Sequence, residues 1–384
     1  MGTQPYVLAP TRMAALLAVT ALAAACGPNP VATNTGSHSP ATTPHALASP
    51  TATTQTPVAT STPSPPPVTG AYGVLFGSQA ANTYTVTIVG VDGKVVASAQ
   101  ASTPPAPTCA NAAAAVVAAP ISSSNSRVYF LDASGAVRYL GPGGDAGQAT
   151  TVPAPTASRR AMFAVSPDDS RIAVVVADFN SSGASTRLYV ENLSGGGNHL
   201  DLFSESGAYS LWPVGWHGTN NLVVAKTASC TQGGGPFCCG PLELHVVDPA
   251  MANRRFTLGS WPGCVIAGSP SPAGVVCENG PNFQSGSWLN WTAGTVRTLA
   301  LNGPAAAYVS PGGQFVAFVD NSGTSFTIGA PTIAGMFACE WIDDNHVLSG
   351  GDAQHQPRVA TATTSAMVAV AAQGDCAGRL PGGL

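Results

Sequence analysis

The sequence predicts an all-β fold, and three observations carry that prediction. Short β-branched or aromatic runs bounded by turn residues recur along residues 71–384, windows of helical periodicity are almost absent, and a turn followed by an apolar strand returns at a steady interval. Gly (43) and Pro (33) supply the turns. The chain has 14 basic and 18 acidic side chains in 384 residues, 8% charged, against roughly 25% in an ordinary soluble protein. No like charges cluster, which excludes a nucleic-acid surface and a polybasic membrane-surface helix. No apolar run reaches the roughly 20 residues needed to span a bilayer.

The first element is an address. Arg12 precedes Met13–Ala25, an apolar stretch with the length of a signal-peptide core. Leu22-Ala23-Ala24-Ala25-Cys26-Gly27 then resembles the bacterial lipobox, with Leu22 one place earlier than usual. That resemblance implies cleavage before Cys26, a signal peptide over 1–25 and acylation of Cys26. It also implies a lipid-anchored protein facing outward from a bacterial cell membrane. The alternative is a secreted protein cut at the same Ala-rich stretch. Residues 27–70 contain ten Pro and no Asp, Glu, Lys, Arg or aromatic residue. Such a segment cannot bury enough apolar surface to offset its ordering entropy, so 26–70 is expected to be a disordered tether.

The second element is a repeat. Val165-Ser166-Pro167-Asp168-Asp169-Ser170-Arg171-Ile172-Ala173 and Val309-Ser310-Pro311-Gly312-Gly313-Gln314-Phe315-Val316-Ala317 share one register: Ser-Pro, a turn, then a strand six residues after the Ser. Ser269-Pro270 leading to Val275 keeps it. Trp216-His217 leading to Val223, and Trp341-Ile342 leading to Leu348, place Trp before the turn. Weaker copies start at Ser122 and Thr69. The mean spacing is about 45 residues, the length of a four-stranded blade in a β-propeller. These units resemble those of TolB-type, WD40-like β-propellers, so 71–384 is expected to form a single propeller. Seven blades fit the available length; six blades with long insertions, and a pair of β-sandwiches, are the alternatives. Strands covered on both faces by neighbouring blades read as unbroken apolar runs, and closure removes edges that would need charged gatekeepers. Both effects lower the charge.

Setting Cys26 aside, eight cysteines remain: Cys109, Cys230, Cys238, Cys239, Cys264, Cys277, Cys339 and Cys376. In an exported chain they are candidate disulfide partners. Cys264 and Cys277 flank a strand–turn–strand unit. Cys230 with Cys238 or Cys239 would close a Gly-rich loop, and Cys339 with Cys376 would staple the last repeat to the tail. Adjacent Cys238-Cys239 lacks the two-to-four-residue spacing of a zinc pair.

Chemistry is sparse. There is no Gly-x-Ser-x-Gly elbow, Walker loop or His-Glu-x-x-His. The pairs Asp168-Asp169 and Asp343-Asp344 fall in the repeat turn, where Asp caps backbone. His217 falls there too, and His199, His245, His346 and His355 are scattered. No catalytic residue, metal or cofactor is assigned. Trp212, Trp216 and Trp341 read as packing between blades, whereas Trp288 and Trp291 are a candidate contact surface for glycan or protein. The resemblance implies a binding platform for a protein or small ligand on the propeller face. The alternative is a propeller-type lyase or glycosidase, which would require polar side chains with shifted pKa values converging in the channel.

Overall fold

Apolar runs such as Ile172–Val176 need cover on both faces, and a ring of sheets supplies it. A computed structural model describes residues 65–384 except 81, 110–113, 182, 232–240, 261–262, 281, 302–305, 328, 330–331 and 353. The expectations for the signal peptide, Cys26 and most of the tether, and those for Cys238 and Cys239, lie outside the described residues. The described strands form seven four-stranded antiparallel sheets, a seven-bladed β-propeller. Blades 2 to 7 are continuous in sequence, over 121–151, 159–207, 209–258, 264–300, 306–334 and 338–369. Blade 1 is composite. Strand Asp375–Leu380 is its innermost strand and pairs with Tyr72–Ala80, followed outward by Thr83–Gly90 and Val95–Ser102.

The repeat marks the hairpin between the first and second strand of a blade. In blade 3, Ser166 Oγ accepts the Arg171 N–H at 2.9 Å, and in blade 6 Ser310 Oγ accepts the Gln314 and Phe315 N–H groups. Three residues after each serine the backbone turns left-handed, at Asp169 (φ 57°) and Gly313 (φ 70°). Glycine adopts that conformation freely and Asp tolerates it. The Thr69 copy precedes the second strand of blade 1, whose first strand arrives from the far end of the chain. The short spacing after Ser310 is a compact blade 6, and the six-blade alternative is excluded.

Seven apolar clusters fill the seven wedges between adjacent blades. Strand Arg171–Asn180 shows why its run is unbroken. Ile172 and Val174 pack toward blade 2, while Ala173 and Val175 pack toward blade 4. Trp216 and Trp341, at the ends of innermost strands, are fully buried. Each donates its indole N–H to the preceding blade, to Ala164 O at 3.1 Å and Tyr308 O at 2.8 Å. The second Asp of each acidic pair also crosses between blades. Asp169 accepts from Ser126 Oγ and Tyr129 OH on blade 2, and Asp344 accepts the Gly312 N–H of blade 6.

Three disulfides are present among the described residues: Cys109–Cys230, Cys264–Cys277 and Cys339–Cys376. The expected partners of Cys230, Cys238 or Cys239, are incorrect. Strand Cys230–Thr231 pairs with Ala114–Ala115, and Val116 donates to Ser229 O. The connector between blades 1 and 2 thus reaches blade 4 and brings Cys109 to Cys230.

The Cys339–Cys376 bond ties blade 7 to the strand that closes the ring, over a sequence separation of 37 residues. Replacing both cysteines with alanine is expected to lower stability by about 4 kcal/mol, the chain-entropy value for such a loop. Denaturant unfolding without reductant measures this, and a loss below about 1 kcal/mol would show that strand pairing alone secures the closure.

Candidate functional site

The innermost strands surround a central cavity of about 490 Å³. Its wall includes residues from the innermost strands of blades 1, 2, 4, 6 and 7 and from the first hairpin of blade 5. Gly382, Gly383 and Leu384 form its floor. This floor is fastened: Gly382 N donates to Ser124 O at 2.7 Å and Leu384 N to Trp216 O at 2.7 Å. His217 Nδ1 lies 2.7 Å from Leu384 O.

Most of the wall is small or apolar; Asp375 and three larger polar side chains break that pattern. Glu340 sits on strand Ala338–Trp341 of blade 7, Arg379 on the closing strand of blade 1, and Tyr308 on strand Ala306–Val309 of blade 6. Desolvation by the surrounding blades pushes the Glu340 carboxyl up to about 7; Arg379 nearby and the Trp341 N–H oppose that shift. Burial also lowers the Arg379 guanidinium, with Glu340 and Asp344 opposing. The Tyr308 hydroxyl is pushed up to about 12 by burial and then by Glu340. Arg379 is 9% exposed and is held by the tail, donating from Nη1 to Pro381 O at 2.6 Å and from Nη2 to Gly383 O at 3.0 Å. Glu340 Oε1 accepts the Trp341 N–H at 3.1 Å. The two ionisable side chains therefore feel one another without a direct hydrogen bond.

None of these three was singled out from the sequence, though one signal existed. Two residues before the repeat positions Ser166, His217 and Ser310 stand Ala164, Gly215 and Tyr308, but two before Ile342 stands Glu340. A carboxylate at a repeat position otherwise small or aromatic marks the site. Arg379 gave no signal, because its strand lies outside the repeat register.

The other candidates stay apart. Trp288 and Trp291 do not form a contact surface: they are 7% and 4% exposed. Trp288 packs toward blade 6 and donates to Ala273 O; Trp291 packs toward blade 4 and donates to Ser271 O. Gly313 of blade 6 makes room for Trp288, since a Cβ there would meet its ring at 3.0 Å. His199 binds Glu191, His245 binds Glu243, His346 binds Asp343 and His355 faces Asp352, each on its own blade. Among the described residues no group of three His, Cys, Asp or Glu side chains is placed to hold a metal ion. Buried Arg160, whose Nε and Nη1 have no partner, lies beside Tyr84 and outside the cavity wall.

No family model and no curated protein matches the sequence. Among solved structures, the chain is similar to the Dos1 propeller, at 13% identity over 80% of this chain and 85% of that one, with a TM-score of 0.42. It is also similar to a protein of unknown function from Bacteroides caccae, at 12% identity over 65% and 82% of the respective chains, with a TM-score of 0.35. The blade count rests on the strand pairing described above.

A raised carboxyl pKa has a consequence for stability. The unfolded chain releases the Glu340 proton near 4.5 and the folded chain near 7. Ionisation therefore removes stability as pH rises between those values, and below the lower one the group contributes no difference. Glu340→Gln keeps the shape and removes this penalty. Thermal unfolding is expected to show E340Q more stable than wild type at about pH 8, with the gap closing by about pH 4. A variant less stable at the higher pH would show that Arg379 outweighs the desolvation.

Proposed function

We propose that the chain is a lipid-anchored, outward-facing propeller of the bacterial envelope that binds a small ligand in its central cavity. The observation that carries the binding is the polar cluster of Glu340, Arg379 and Tyr308, held on rigid innermost strands in a mostly small or apolar wall. A concave, mostly apolar site with a few convergent polar groups is the usual form of a small-molecule site. The TolB-type repeat supports the propeller platform, and the lipobox at Cys26 supports the anchor. The uncharged segment after Cys26 would then lift the propeller off the membrane.

A second reading, a propeller-type lyase or glycosidase, is favoured by one observation. A carboxyl titrating near 7 is poised to give and take protons at neutral pH. Turnover of uronic-acid oligosaccharides by wild type, lost in E340Q, would establish that reading in place of simple binding.

Two measurements test the main proposal. Cys26→Ser is expected to move the protein from the membrane fraction to the soluble one, and an unchanged membrane pool would refute the anchor. For the cavity, Ser269→Trp places a bulky ring in the wall. Equilibrating the full chain with an envelope extract is expected to raise the unfolding temperature of wild type by a few degrees through mass action, and that of S269W not at all. No shift in wild type would refute a resident small ligand.

A further inference from the structure

We propose that the central cavity selects a small organic ammonium ion, whose cationic head pairs with the Glu340 carboxylate while its body rests on the apolar wall. This rests on the reading of the cavity as a ligand site and names the ligand's chemistry.

The charges lining the cavity are unbalanced. Glu340 and Asp375 are on its wall, Asp344 is close enough to act on Arg379, and Arg379 is the only cation among the lining residues. That cation is already engaged, because two of its nitrogens are bound to Pro381 O and Gly383 O. Glu340 has one hydrogen bond, from its own neighbour Trp341, and its second oxygen has no partner among the described residues. Glu340 is half-buried on the cavity wall, and Arg379 acts on it without a direct hydrogen bond, so its charge is only partly compensated. An ammonium group supplies the rest with a charge-assisted hydrogen bond.

Other chemistries fit less well. An anion would meet an Arg379 already partly engaged with the tail and would have to approach two carboxylates. A divalent metal would need more ligands than the described residues bring together. A neutral alcohol can donate to Glu340 but leaves its charge uncompensated. Opposite the carboxylate, Val214, Pro270 and Leu384 offer an apolar surface for the rest of the ligand. Since Glu340 must be ionised to pair, affinity for the amine falls as pH drops through about 7, while that for an uncharged analogue stays level.

Three probes with one ring and different heads make the test: benzylamine, benzyl alcohol and benzoate, each titrated into the purified full chain by ligand-observed NMR. At about pH 8.5, benzylamine is expected to bind about tenfold more tightly than benzyl alcohol, and benzoate more weakly than either. In E340Q the advantage of the amine is expected to vanish while benzyl alcohol is unaffected. The carboxyl ¹³C titration of Glu340 in wild type provides a readout that needs no variant, and benzylamine is expected to shift its midpoint to lower pH. Equal binding of amine and alcohol, tighter binding of benzoate, or an unmoved Glu340 midpoint would overturn the cation preference and leave the binding reading standing. If no probe binds while the envelope extract still stabilises wild type but not S269W, the ammonium assignment alone fails. If the extract also gives no shift, the binding reading fails with it.

Discussion

The fold depends on one antiparallel pairing. Strand Asp375–Leu380 lies beside Tyr72–Ala80, with Tyr72 opposite Leu380 and Phe76 opposite Asp375. Without it, blade 1 lacks its innermost strand and the wedges on both sides of it lose their inner wall. Leu380 belongs to the cluster between blades 1 and 2, and Cys376 packs on the cluster between blades 7 and 1. The closing strand brings Arg379 to the cavity, and the disulfide from Cys376 ends at Cys339, the residue before Glu340. Ring closure and site assembly are therefore a single event. A chain with its last strand displaced loses the cavity along with the seal.

The shortage of charge follows from the same ring. A middle strand such as Arg171–Asn180 is buried on two faces, so its residues alternate between two apolar wedges rather than between core and water. Most ionic side chains are left to hairpin turns and rims, in pairs such as Lys94–Asp92, Arg187–Asp201 and Arg255–Asp248. The exposed pairs among these, Lys94–Asp92 and Arg187–Asp201, contribute little to stability. Stability comes instead from wedge packing and from buried polar links between blades, of which Trp216, Trp341 and Asp169 are the clearest.

Most of this architecture was legible in the sequence because a repeat samples one local structure several times. Ser166 and Ser310 take the same capping role in the same hairpin, so recurrence gave register as well as fold. Legibility ended where contacts are made once. Cys109 reaches Cys230 by a connector that crosses from blade 1 to blade 4, and no spacing encodes that path. Trp288 and Trp291 looked surface-bound because their neighbours are Ser, Gly and Asn. Their rings instead pack into the wedges on opposite sides of blade 5, Trp288 against Gly313 of blade 6. The site was hardest to see, since Glu340 stands next to Trp341, whose role in the repeat is structural and draws attention first.

Glu340 also shows how function separates from the repeat. Ala164, Gly215 and Tyr308 hold the corresponding position without a charge, so the propeller does not need a carboxylate there for its fold. Burying one works against stability at neutral pH. A local rule broken against the fold's own interest, on the cavity wall and beside a cation engaged elsewhere, is the observation on which the proposed ligand site rests. The desolvation that raises the Glu340 carboxyl also strengthens a pairing made with it, because a partly desolvated carboxylate gains more from a cation than a fully exposed one does. In the proposed binding, the stability given up at Glu340 reappears as affinity and as a dependence of that affinity on pH.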